Sequence, residues 1–307
     1  RMRKAMFTLA LAVMAMAASA QTVKVGFKKG DVRKYVTKVD ITVGVPMQGE
    51  EKVSSEATNT YTVTDATADG YTVELKNESY TTTGKSEIAQ QLGDVSSYFS
   101  ALKETPAKLK LNKDGAVTDI LNSDAVLASI SKIAIDAVNK FYADHPEIEK
   151  QAPKSKALMA VNDQITKENA LNLFKDNTIF SLNGKDLVAT PEEDDTIINI
   201  IKVKSTYSVS NDGSNLVINK KSVSNMSEDD LKALIKKFIA KAGQEVSDSE
   251  FDQMWGQMKL MGMAQIDANE TGTSNYGEGG WLTSNSDDVS MTVMGAKTKV
   301  SIKSTLQ

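Results

Sequence analysis

Residues 35–45 read Tyr-Val-Thr-Lys-Val-Asp-Ile-Thr-Val-Gly-Val. Every second position (Tyr35, Thr37, Val39, Ile41, Val43, Val45) is apolar or β-branched, with Lys38 and Asp40 between. A period of two sustained this long specifies a half-buried strand. Outward from it, Pro46 to Glu51 read as a turn region and Thr58 to Thr64 as a second strand, with Tyr61 and Val63 on one face. Asp69-Gly70 is a turn signal, after which Tyr71, Val73 and Leu75 restart the alternation. Together these segments predict an antiparallel meander.

The period then changes. Ile88, Leu92, Val95, Phe99 and Leu102 are spaced as one helix face, closed by Pro106. Leu109, Leu111, the turn Asn112 to Gly115, and Val117 predict a hairpin. Ser123 reads as the N-cap of a helix that turns Val126, Ile130, Ile133, Ala137 and Phe141 inward and stops near Pro146. A short helix is expected over Lys167 to Phe174. Strands are expected over Thr178 to Ser181 and Leu187 to Ala189, paired about Asn183-Gly184. Lys202 to Ser210 and Asn215 to Val223 flank Asn211-Asp212-Gly213 as another hairpin. Ser227 with Asp230, and Ser247 with Glu250, open two more helices. The first of these is expected to bury Leu231, Leu234, Ile235, Phe238 and Ile239. The rest reads as strands: Gln265 to Thr271, Gly280 to Ser284, Val289 to Val293 and Lys299 to Ser304.

Runs of strands thus alternate with runs of helices, which predicts an α+β fold with an antiparallel sheet rather than a doubly wound one. Residues 21–307 are expected to form a single α+β domain, with two loosely similar β-rich halves as the variant reading. The basic start Arg1, Arg3, Lys4, the apolar run Ala5 to Ala17, and Ala18-Ser19-Ala20 before Gln21 are the parts of a secretory signal peptide. Residues 1–20 are therefore expected to be removed, leaving a periplasmic or secreted chain. With Arg1 in place of an initiator Met, the expectation is that the true start lies upstream or that the chain is a fragment, with Met2 as the other candidate start.

Composition narrows the chemistry. Loss of three basic residues with the leader takes the formal charge from -4 to -7. An acidic chain with scattered lysines does not suit nucleic acid or anionic lipid surfaces. Cysteine is absent, which removes disulfides, thiol nucleophiles and thiolate metal sites. The single histidine, His145, lies at a helix end before Pro146, and no G-x-S-x-G occurs. No cofactor is called for, and no membrane-length apolar run follows the leader. Glu192 to Asp195 reads as a solvated loop, and Asp267-Ala268-Asn269 and the Gly277 to Gly280 cluster as turns. Met254, Met258, Met261 and Met263, beside Trp255, allow three readings: a packing face, a soft-metal (Cu(I)) site, or a yielding apolar groove.

The basic start, Ala18-Ser19-Ala20 before Gln21, the long paired strands, Lys113-Asp114-Gly115 and the closing β run resemble a family of exported proteins of Bacteroidota-type bacteria, a domain of unknown function. The β-α-β layout also resembles periplasmic lipoprotein-carrier-like half-barrels. That resemblance implies a long curved antiparallel sheet with amphipathic helices packed on one face, enclosing an apolar cavity. The expected function is non-enzymatic binding of an apolar, lipid-like ligand or an envelope partner, with Ile133, Phe141, Leu234, Phe238, Met258 and Met261 lining the cavity. The alternatives are a structural or assembly protein of the envelope with a filled core, and an acidic hydrolase using a carboxylate pair.

Overall fold

The computed structural model describes residues 22–45, 49–84, 100–150, 152–187, 193–197, 201–212, 215–241, 246–261, 264–293 and 295–307. The leader, most of the helix expected at Ile88 to Leu102, and Met263 lie outside the described residues; residues 100–104 are helical.

Among the described residues, eleven strands form one antiparallel sheet. They are β1 (Val32–Val45), β2 (Gly49–Thr67), β3 (Gly70–Thr83), β4 (Ala107–Asn112), β5 (Val117–Ile120), β6 (Glu193–Ile197), β7 (Ile201–Asp212), β8 (Asn215–Ser224), β9 (Ile266–Tyr276), β10 (Leu282–Val293) and β11 (Ala296–Leu306). Their order is β5-β4-β3-β2-β1-β11-β10-β9-β8-β7-β6. The chain walks outward from β1 to one edge, crosses by helices to the other edge, and walks back until β11 closes against β1, Tyr35 opposite Leu306. Among the described residues β5 and β6 do not pair, so the sheet is open.

Alternation separates the two faces. Lys34, Lys38 and Asp40 on β1, and Lys299 and Lys303 on β11, are exposed, while Tyr35, Val43 and Ser304 on the opposite parity are buried. The inner face curls around an aromatic plug. The Phe27 ring lies 5.1 Å from Tyr71 at the start of β3 and 4.1 Å from Trp281 just before β10. In a flat sheet those strands stand roughly 19 Å apart, so one phenyl ring touches both only because the sheet bends around it. Phe180 seats on Phe27 (6.3 Å) and on Tyr61 of β2 (5.6 Å). Tyr35 donates its hydroxyl to the Leu282 carbonyl at 2.7 Å, linking β1 to β10 across β11. The segment carrying Phe27 is held by close backbone approaches. Gly26 N donates to Gly279 O at 3.0 Å. Gly115, at φ +80, has room only for a hydrogen, since a Cβ there would meet Val25 Cγ2 at 2.7 Å.

Helices cover the inner face at two diagonal corners. α1 (Ser123–Asp144), α2 (Lys154–Gln164) and α3 (Lys167–Lys175) link the two edges. Val126, Ile130, Ala170 and Phe174 join the plug cluster with the apolar residues of β2 to β5. α4 (Glu228–Lys241) and α5 (Asp248–Leu260) form a hairpin at the far end of the other half. Leu231 and Leu234 of α4 pack on Ile197, Ile201, Val203, Ile266 and Ala268. Phe251, Trp255 and Met258 of α5 pack on Ile235. Both helices of this hairpin open on reciprocal caps: Ser227 exchanges hydrogen bonds with Asp230, and Ser247 with Glu250. The Lys202 ammonium and the Ser227 hydroxyl and amide on the Asp230 carboxylate hold its pKa down to about 2.

Several local expectations are corrected. Ser123 is the first helical residue and not the cap. Asn122 precedes it and spends its side chain elsewhere, accepting from Lys108 N at 2.8 Å and donating to Pro106 O at 2.9 Å. The buried stripe of α1 is Val126, Ile130, Ala134 and Tyr142. This is a single i,i+4 row anchored where Tyr142 donates to Ala152 O, so Ala137 and Phe141 turn outward. Residues 178–184 are successive turns rather than a strand, because Ile179, Phe180 and Leu182 all face the plug. Glu193 to Asp195 belong to edge strand β6, where consecutive charges discourage pairing with another chain. Asp267-Ala268-Asn269 is strand, with Ala268 fully buried. Gly280 to Ser284 and Val289 to Val293 are parts of one element, β10, apart from the Gly280 turn. α2 has no counterpart in the sequence reading; its apolar positions Leu158 and Val161 are only half-buried.

Replacing Phe27 by Ala is expected to cost about 3–5 kcal/mol, measured as a lowered denaturation midpoint. A loss under about 1 kcal/mol would show that the curl does not depend on the plug.

Candidate functional site

Strand register places the inward residues in rows across the sheet. One row runs Ser55, Val39, Ile302, Asp287, Gly272, Lys220, Tyr207 from β2 to β7. The next runs Val53, Ile41, Val300, Val289, Glu270, Ser222, Ser205. In both, the β1 and β11 positions are aliphatic and the β8 and β9 positions are mostly polar or charged. Val39, Ile41, Val300 and Ile302 are half-buried and belong to none of the three apolar clusters, whereas Val289 packs against the cluster of Ile197, Ile201, Val203, Ile266 and Ala268. Among the described residues, the apolar clusters built by the helices do not extend over these four half-buried side chains.

Beside the aliphatic strip lies an ionisable cluster. Lys220 Nζ pairs with Glu270 Oε2 at 2.9 Å, with only 20% and 14% of the two side chains exposed. Ser222 donates to the same carboxylate oxygen at 3.0 Å and shares a 2.8 Å hydrogen bond with Ser205. Asn285 Nδ2 donates to Asp287 Oδ2 at 2.6 Å, while its Oδ1 accepts from Ser274 Oγ at 2.8 Å. The other oxygen of Asp287 lies across Gly272, where a Cβ would collide with it; glycine is what lets this carboxylate lie over β9. Burial, with Glu270 and Asp288 nearby, outweighs the Asn285 hydrogen bond and Lys220 and pushes Asp287 up to about 6. Tyr276, on the same face of β9, is pushed above the usual phenol range by burial and by the Asp287 charge. Its hydroxyl is buried without a hydrogen-bond partner among the described residues.

The six residues expected to line a cavity are distributed, not gathered. Ile133 packs against the plug cluster, Leu234 against the far-end cluster, and Met258 within the α4–α5 hairpin. Phe141 is 41% exposed and Met261 63% exposed. The Phe238 side chain lies outside what is described. Of the methionine group, Met254 and Met258 both pack in the hairpin, as a packing face would. His145 caps α1, with its ring 5.0 Å from Phe141 and Nδ1 3.5 Å from Glu147. Lys220, Glu270 and Asp287 escaped the sequence reading. The signal for them is positional: each occupies the inward parity of its strand, where Ala268, Tyr276 and Ile218 are apolar.

No family model matches the chain, and no curated protein matches it in sequence. Among solved structures it is similar to a lipovitellin structure described by its lipid–protein interactions, at TM-score 0.46 and 13% identity, over 92% of this chain and 25% of that one. It is also similar to DynF from the dynemicin biosynthesis pathway of Micromonospora chersina, at TM-score 0.20 and 6% identity, over 91% and 81% of the two chains. An outer membrane channel from Pseudomonas putida F1 gives TM-score 0.20 and 5% identity, over 92% and 98%. The chain thus spans a quarter of the length of the lipovitellin chain. Scores this low establish neither a shared fold nor a shared activity. No described helix is long and apolar enough to cross a membrane.

Because the folded pKa of Asp287 exceeds its unfolded value of 3.8, the folded state holds this proton more tightly. The resulting stability is full below about pH 4 and is lost as pH rises through about 6. Asp287→Asn is therefore expected to raise stability relative to the parent by on the order of 3 kcal/mol above pH 6, with the gain shrinking to nothing near pH 4. Denaturant midpoints across that range check it, and parallel curves at every pH would refute it.

Proposed function

We propose that this chain is an exported, non-enzymatic protein that binds an amphipathic, lipid-like molecule on the inward face of its sheet. One observation carries the reading. The half-buried aliphatic strip Val39, Ile41, Val300 and Ile302 runs in register into the ionisable cluster of Asp287, Glu270 and Lys220. A surface that is apolar at one end of a row and charged at the other matches a molecule with a tail and a head. Folding alone would favour filling such positions with larger apolar side chains or covering them. Export rests on the Arg1 to Ala20 leader; the envelope is the compartment this address implies.

A second reading is favoured by Asp287 itself. A carboxyl pushed up to about 6 beside a second carboxylate is the arrangement of an acid–base hydrolase. Against it, Glu270 is neutralised by Lys220 and bonded by Ser222. Hydrolysis of chromogenic glycosides or esters that disappears in Asp287→Asn would establish this reading in place of the first.

Purified residues 21–307 are expected to take up long-chain amphiphiles. Ile41→Asp or Ile302→Asp should weaken uptake about tenfold or more while melting stays cooperative, because a charge in the strip must be desolvated by the tail. Phe141→Asp, on the exposed side of α1, should leave uptake unchanged. Native mass spectrometry reads all three; absence of any uptake by the parent would move the assignment to a structural or assembly role. When the full chain is expressed in a bacterial host, N-terminal sequencing of the periplasmic fraction is expected to begin at Gln21. Recovery of intact leader in the cytoplasm would overturn export.

A further inference from the structure

We propose that the inward polar belt is a headgroup site for an ammonium-bearing amphiphile, with Asp287 as the counter-ion. This rests on the amphiphile reading above and adds the charge of the head.

The argument is one of charge balance and acceptor geometry. Lys220 and Glu270 neutralise each other at 2.9 Å, and Ser222 takes up a further lone pair of the same oxygen. Asp287 is different: its one hydrogen bond is from the neutral amide of Asn285, and it has no ion-pair partner among the described residues. Among the described residues, Asp287, Glu270 and Lys220 together therefore carry one net negative charge when Asp287 is ionised. A ligand head that brought a carboxylate or phosphate here would stand beside both Asp287 and Glu270, and like charges in a partly dry site repel strongly. A cation instead completes the balance.

The acceptors suit an ammonium. Such a group has three donors and no acceptor. The Asp287 carboxylate offers lone pairs on two oxygens. The buried Tyr276 hydroxyl, without a partner among the described residues and within electrostatic reach of Asp287, offers another. Burial keeps that phenol neutral, so it accepts without adding charge. Gly272, with no side chain of its own, lets the carboxylate lie over β9. Asp287 also stands in the same cross-sheet row as Ile302 and Val39, directly opposite Ile302 on the neighbouring strand. A tail leaving the head along this row meets aliphatic side chains at once, with Val300 and Ile41 one step along the strands. The groups facing Asp287 are Lys220 on β8, Glu270 and Tyr276 on β9, and Asp288 beside it on β10.

Three probes of equal length and different head test this: dodecylammonium, dodecanol and dodecanoate, each below its micelle concentration. At about pH 7.5 the parent chain is expected to bind dodecylammonium about tenfold more tightly than either of the others. Asp287→Asn should bring the three within about twofold of one another, and so should lowering the parent to about pH 4.5. Equal or tighter binding of dodecanoate by the parent, or a preference for ammonium that survives Asp287→Asn, overturns the headgroup assignment. If all three bind alike to the parent, the headgroup assignment falls and the amphiphile reading stands. If none binds, both fall.

Discussion

An eleven-stranded open sheet with polar groups along one face is stable only if it curls over something, and here it curls over Phe27. This ring sits on a segment outside the sheet and touches both Tyr71 and Trp281, so it draws together strands that the chain adds at its beginning and its end. Phe180, from the turns after α3, completes the plug. Burial also explains why Tyr35, Tyr61 and Tyr276 titrate well above an ordinary phenol.

The bend creates two kinds of interior. At the plug end, aromatic and aliphatic side chains fill the space from β2 through β10. Further along the strands, inward positions become Ser205, Ser222, Ser274, Asn285 and Ser304, all buried and most joined by side-chain hydrogen bonds. Asn77 belongs to the same class. It donates to Asn59 Oδ1 and to two backbone carbonyls where the pairing of β2 with β3 slips by one residue. Buried polar networks add little net stability and confer register and chemistry instead. Their concentration beside half-buried aliphatic side chains is what distinguishes this face from an ordinary core.

Much of the sheet was legible because its outer half obeys alternation. Tyr35 to Val45, Tyr71 to Leu75 and the hairpin at Asn112 to Gly115 all declare themselves. Helix starts at Ser227 and Ser247 were equally clear, since a reciprocal cap is a local device. The polar stretch Ser284 to Asp288 hid the middle of β10, because its inward residues Asn285 and Asp287 break the apolar period that marks a strand. The ionisable cluster was hidden for the same reason: its members come from β8, β9 and β10, and only register brings them together. Residues 178–184 misled in the opposite sense, offering β-like apolar spacing where tertiary packing asks for a compact turn. The expected lining residues lie on helix faces, whereas the half-buried aliphatic strip outside the apolar clusters belongs to β1 and β11.

Photocrosslinking with a diazirine-bearing long-chain amine, followed by peptide mapping, tests the central claim most directly. Attachment is predicted within β1 and β11, on the peptides containing Val39 to Val43 and Val300 to Ile302, and competed away by unlabelled amphiphile. Attachment confined to the exposed positions Phe141, Leu260 or Met261, or labelling that no amphiphile competes, would contradict the account.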